Sequence, residues 1–130
     1  HLANVLAHPT EGRIAAVVDW ELATIGDPLL DLGHVLCTWP AAEAPAASAV
    51  VGAGTAGLPT RAALIERYAA GSTRGVDDAD WYEVLACYRL GIILEGTNAR
   101  AQSGLASKEI GDVLHATAVA PVERPGALMA

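Results

Sequence analysis

The sequence predicts an α+β protein, a short antiparallel β-hairpin followed by a mostly helical bundle. Two β-favouring apolar runs, Val5 to His8 and Ile14 to Val18, flank the turn-rich stretch Pro9-Thr10-Glu11-Gly12-Arg13. From Asp27 onward the apolar residues recur at helical spacing instead. Much of the 52% hydrophobic content is alanine, which favours helix but buries little area, so the larger side chains must carry the packing.

The hairpin comes first. In an antiparallel pair the start of one strand lies beside the end of the other, so Asn4 and Asp19 are expected to meet. That register puts Val5 opposite Val18 and His8 opposite Ala15, with Pro9 to Ile14 as the connection. Taken alone, Asn4 reads as a strand-end residue and Asp19 as an ordinary loop carboxylate. Together they place a carboxamide oxygen and a carboxylate at one point, hard ligands suited to a magnesium ion that holds nucleotide phosphates.

The helices follow in order. Asp27 reads as an N-cap and Pro28 as the first helical residue, with Leu32, Val35, Leu36 and Trp39 on one buried face and a stop before Pro40. Residues Ala41 to Pro59, rich in Ala, Gly and Pro, read as a loop or insertion. Thr60 caps a second helix with Leu64, Ile65 and Tyr68 inward and Gly71 at its end. The third helix runs from Asp77 or Asp78 to about Gln102. It carries two apolar stripes, Trp81-Leu85-Tyr88-Ile92 and Val84-Cys87-Gly91-Leu94, as a helix wedged between neighbours would. Arg89 and Glu95 interrupt the stripes, and each needs a partner or an exposed tip. The acidic cluster Asp77, Asp78, Asp80 and Glu83 reads as a helix start favoured by the macrodipole, with a rim for a cationic substrate as its alternative. Ser107 caps a last helix bearing Ile110, Val113 and Leu114, and Pro121 and Pro125 favour an irregular tail. The chain therefore reads as one domain: hairpin and loop over 1–26, helices over 27–120, tail over 121–130.

Charge and cysteine usage narrow the function classes. A formal charge of −7 and a pI near 4.9 argue against a nucleic-acid or anionic-membrane surface, and no apolar run is long enough to span a bilayer. Two cysteines, Cys37 and Cys87, make no disulfide framework, and a reduced, cytoplasmic setting is expected. His34 and Cys37 lie three apart on one helix, but two ligands do not complete a zinc site, and core packing is the better reading.

The segments His1-Leu2-Ala3-Asn4-Val5-Leu6, Asp19-Trp20-Glu21 and Gly26-Asp27-Pro28 through Asp31 resemble the aminoglycoside phosphotransferase and choline kinase-like family. By that resemblance the fold is part of the C-lobe of a protein-kinase-like enzyme. Asn4 matches the asparagine of the catalytic loop and Asp19 the aspartate of the DFG position, both magnesium ligands beside ATP or GTP. Trp20 and Glu21 fill the remaining places of that motif, and Asp31 matches an aspartate that braces the catalytic loop from a neighbouring helix. His1 falls inside the catalytic-loop motif, where it could contact substrate or phosphate.

The resemblance also implies parts outside the chain. The family's loop opens with His-Gly-Asp, and its base aspartate would fall before His1, as would the nucleotide-covering lobe. The expectation is thus a carboxy-terminal portion, inactive alone, of an enzyme that phosphorylates a hydroxyl of a small molecule. The tract Asp19 to Pro28 looks closest to phosphotransferase domains related to those fused to acyl-CoA dehydrogenases, which suggests a hydroxyacyl thioester as the acceptor rather than an aminoglycoside-like antibiotic. The alternative is a non-catalytic, degenerate kinase-like module that binds nucleotide, metal or a partner. Oligomeric state is open.

Overall fold

A computed structural model of the chain describes residues 2–39 and 57–123. A single 3-10 turn, Leu2–Asn4, leads into a two-stranded antiparallel sheet of β1, Val5–Ala7, and β2, Ile14–Val17. Four helices follow among the described residues: α1, Leu29–Thr38; α2, Arg61–Gly71; α3, Ala79–Gln102; and α4, Lys108–Glu123. The α+β class and the order of elements are as the sequence predicts. Most of the expected 41–59 loop, the residue His1 and the tail from 124 lie outside the described residues.

The hairpin register differs from expectation by one residue at Val5 and Leu6 and by two at Ala7. Val5 pairs with Val17 and Leu6 with Ala16, after which Ala7 pairs with Ile14, leaving Ala15 as the extra residue of a bulge. The tip explains the shift. His8 accepts from the amide of Glu11 through Nδ1 at 3.1 Å, and its own amide donates to the Arg13 carbonyl at 2.9 Å, so the turn closes over His8 to Arg13.

The core lies between α1 and α3. Leu29, Leu32 and Leu36 cluster with Ala79, and Leu64, Ile65 and Tyr68 of α2 pack on that cluster as expected. Contacts step forward along α1 and α3 together, from Leu29 and Leu32 near Ala79, through Gly33 at Tyr82 and Glu83, to Cys37 beside Ala86 and Cys87. A methyl group at Gly33 would collide with the Tyr82 carbonyl and the Glu83 amide, so glycine is what permits this approach. Pro28 is in helical conformation but precedes the first helical residue, Leu29, whose amide is capped at 2.9 Å by Asp27 Oδ1.

Of the two expected stripes of α3, Val84-Cys87-Gly91-Leu94 is buried to half-buried, and the other faces mostly outward. Trp81, Tyr88 and Ile92 are exposed, while Ala79, Glu83, Ala86, Cys87 and Gly91 form the buried face. Small residues line that face because the helices come too close for larger ones. Glu83 is no dipole ornament at a helix start: it is fully buried, and Arg61 at the head of α2 donates to it through Nε at 2.7 Å while also pairing with Asp80. Thr60 accepts from the Ala63 amide at 3.2 Å, the cap the sequence predicts.

On α4, Ile110 and Val113 are exposed, and Gly111 sits against Ala101 of α3. Glu95 pairs with His115 across α3 and α4 and accepts from Asn98 Nδ2 at 3.2 Å, which answers its need for partners. Those two hydrogen bonds, Asn98 first, hold its carboxyl below the ordinary value. The last helix runs through Pro121 to Glu123, where the sequence predicts an irregular tail. No helix among the described residues is long and apolar enough to cross a membrane.

Candidate functional site

Asn4 ends the 3-10 turn and starts the hairpin, and its carbonyl accepts from the Val18 amide at 2.9 Å. That backbone bond extends the ladder by one step beyond Val5 and Val17, so Asp19 leaves the sheet next to Asn4. The chain then turns sharply. Asp19 has φ 66°, in the left-handed region, and is the only described non-glycine residue with positive φ. The turn brings its side chain back to the hairpin mouth, where Asn4 Nδ2 donates to Asp19 Oδ2 at 3.0 Å. The expected juxtaposition is therefore present although the register that was to produce it is not. The left-handed residue makes up for the missing step.

Trp20 folds over the same corner. Its indole Nε1 donates to the Val17 carbonyl at 2.7 Å, and the Ala23 amide donates to the Trp20 carbonyl at 3.0 Å. The site is open to water: Asp19 is exposed, Trp20 is 68% exposed, and Leu22 and Ile25 project from the loop that follows.

The donor set suits a hard cation. With Asn4 Nδ2 turned to Asp19, the Asn4 Oδ1 and the second Asp19 oxygen keep their lone pairs, one formal charge between them. Magnesium is commonly held by one or two carboxylates, with water and substrate phosphates filling its other positions. Among the described residues no three of His, Cys, Asp and Glu converge on one point, so no all-protein cage competes with that mode. Cys37 belongs to the core, while His34 is half-buried; burial, with neighbouring positive charge including Arg89, pushes the His34 imidazole below its ordinary value against the opposing effect of Asp31.

Asp31 is elsewhere. It is an exposed residue of the first turn of α1 and lines, with Pro28, Leu32, Val35, Leu64, Arg67 and Tyr68, a groove of about 430 Å³ between α1 and α2. Among the described residues it makes no hydrogen bond to Asn4 or Asp19. Asp27 has more to hold than a helix cap: Arg74 Nη1 reaches its Oδ2 at 3.2 Å, and the Tyr82 hydroxyl lies against the same carboxylate. Arg74 is 47 residues away in sequence, and no local pattern could have pointed to it.

A model of the phosphotransferase enzyme family matches residues 1–69, the hairpin, α1 and most of α2. Acyl-CoA dehydrogenase family member 11 of Homo sapiens is 32% identical over 131 residues, covering 96% of this chain and 16% of that protein. The Pongo abelii protein of the same name is 31% identical over the same length. Acyl-CoA dehydrogenase family member 10 of Mus musculus is 28% identical over 113 residues, covering 82% of this chain and 10% of the relative. The chain thus spans about a sixth of the length of the first of these relatives. No solved structure matches it significantly. Asn4, Asp19 and the loop to α1 all fall inside the matched stretch, and the chain belongs to the phosphotransferase enzyme family.

Proposed function

We propose that this chain supplies the metal-binding part of an ATP- or GTP-dependent phosphotransferase that acts on a hydroxyl group of a small molecule. The observation that carries the reading is the Asn4 to Asp19 contact of 3.0 Å, formed by a residue held at φ 66°. A backbone conformation that costs energy at an exposed corner is most simply understood if the carboxylate has to be there. Asp19 would hold magnesium through its carboxylate and Asn4 through its amide oxygen. Magnesium at this place would supply positive charge against the nucleotide phosphates. Asp31 is assigned a supporting role, on the resemblance that matches it to a bracing aspartate.

For the acceptor, the acyl-CoA dehydrogenase names of the relatives favour a hydroxyacyl thioester over an aminoglycoside-like compound. The acidic charge of the chain favours a small-molecule partner over nucleic acid or membrane, and its two cysteines, with no disulfide framework, favour the cytoplasm.

The test is a phosphorylation screen with the complete protein, ATP or GTP, magnesium, and a panel of sugars, aminoglycosides, simple alcohols and hydroxyacyl thioesters. Asp19→Asn and Asn4→Ala should each lower turnover by about a hundredfold or more. Nucleotide binding with no transfer to any acceptor would leave a binding module instead. Turnover unaffected by Asp19→Asn would remove Asp19 from the site.

A further inference from the structure

The sheet packs extensively against no helix among the described residues; the strong packing is of α3 with α4 and with α1. What joins the Asn4 and Asp19 corner to the helical body is the segment from Val18 to Pro28, in which residues 18–26 are all exposed. The side chain of that segment that reaches the helical body is Asp27. Its Oδ1 accepts from the Leu29 amide at 2.9 Å, and its Oδ2 accepts from Arg74 Nη1 at 3.2 Å.

Its third neighbour, Tyr82, is rooted where the molecule is most tightly built. Tyr82 packs on the Leu29, Leu32 and Leu36 cluster, and its carbonyl is the atom against which Gly33 presses. The tyrosine ring is thereby rooted in the helical body, with its hydroxyl beside the Asp27 carboxylate. The hydroxyl is held above its ordinary pKa, by burial first and by Asp27 next, and so keeps a proton to donate. Arg74, on the α2 to α3 connection, adds a donor whose side chain is 58% exposed, worth little as an isolated pair but useful in fixing direction.

We infer that Asp27, Tyr82 and Arg74 form an anchor that positions the metal-binding corner on the helical body, so that Tyr82 and Arg74 are positioning residues for the phosphotransfer site. This rests on the reading of Asn4 and Asp19 as the metal pair. The physical logic is that of a tether. Asp19 is eight residues from Asp27, and a carboxylate that must share a cation with nucleotide phosphates loses affinity steeply when its supporting backbone is free to swing. Neither Tyr82 nor Arg74 touches the metal pair, so their effect has to pass through Asp27.

The experiment uses the complete protein with manganese(II) as the probe, alone and with ATP or GTP, and reads bound manganese by electron paramagnetic resonance. Thermal stability is recorded in parallel. Tyr82→Phe and Arg74→Met should each weaken manganese–nucleotide binding by about tenfold while the protein stays folded, and Arg74→Lys should recover part of the loss. Asp19→Asn should abolish binding. If Asp19→Asn abolishes binding while Tyr82→Phe and Arg74→Met bind as tightly as the unmodified protein, the anchor is overturned and the metal pair stands. Asp19→Asn binding normally overturns the metal pair and the anchor with it. A loss in Tyr82→Phe that tracks a fall in thermal stability, with Arg74→Met unaffected, makes Tyr82 a packing residue only and also overturns the anchor.

Discussion

Asp19 combines two properties that compete, an exposed carboxylate and a left-handed backbone. Aspartate tolerates that conformation better than most residues, yet glycine would adopt it at no steric cost. The two substitutions that delete the carboxylate should therefore separate. Asp19→Gly should be more stable than Asp19→Ala by about 1 kcal/mol in chemical denaturation of the chain, although both lose the contact with Asn4. Equal stabilities would mean that φ 66° carries no strain and that the turn needs no functional explanation. At this scale the sequence was informative for a particular reason. Asn4 and Asp19 bound a hairpin whose turn residues are strong signals, so their meeting could be foreseen. The bulge at Ala15 could not, because in a run of Ile14, Ala15, Ala16 and Val17 nothing marks which alanine is extra. Partners of Asp27 were hidden for a different reason, since a single chain carries no local trace of a contact made across 47 residues.

Helix boundaries were legible because caps and breakers are local: Thr60 bonds the Ala63 amide, α2 ends at Gly71, and α1 ends at Thr38, before Pro40. Helix faces were less so. Of the two expected stripes of α3 the one with the large aromatic side chains turns outward, because α1 approaches α3 so closely that the face between them is made of Ala79, Ala86, Cys87 and Gly91, with Glu83 buried beside Arg61. Large residues such as Trp81 and Tyr88 are pushed outward by that geometry. Two glycines test it. Gly33→Ala should destabilise the chain by about 1 to 3 kcal/mol, since backbone on α3 rather than a flexible side chain blocks the added methyl. Gly96→Ala, within α3 where a methyl would meet nothing within 4 Å, should stabilise it by up to about 1 kcal/mol. Thermal or denaturant unfolding of the two variants decides the matter, and a neutral Gly33→Ala would show that α1 and α3 are farther apart than the structure has them.

Across the whole molecule, ordering is unequal. The helices share a core in which Leu36 and Cys87 are fully buried, and α4 is tied to α3 through Glu95 and His115 and through Gly111 against Ala101. The sheet has strands of three and four residues, with Leu6, Ile14 and Val17 exposed, and an isolated two-stranded hairpin is marginal in water. Its link to the helices is the exposed segment that ends at Asp27. Local opening should follow this division, because amides open at a free-energy cost set by the contacts they must break. In hydrogen exchange of the 130-residue chain, the amides of Leu6 and Val18 should exchange well before those of Leu36 in α1 and Cys87 in α3. The Val18 amide is the most telling, since its bond to the Asn4 carbonyl at 2.9 Å is the backbone half of the candidate metal site. Protection at Val18 equal to that at Cys87 would mean that the hairpin opens only when the core does. The metal-binding corner would then be a rigid part of the helical body, and an anchor at Asp27 would have nothing left to position.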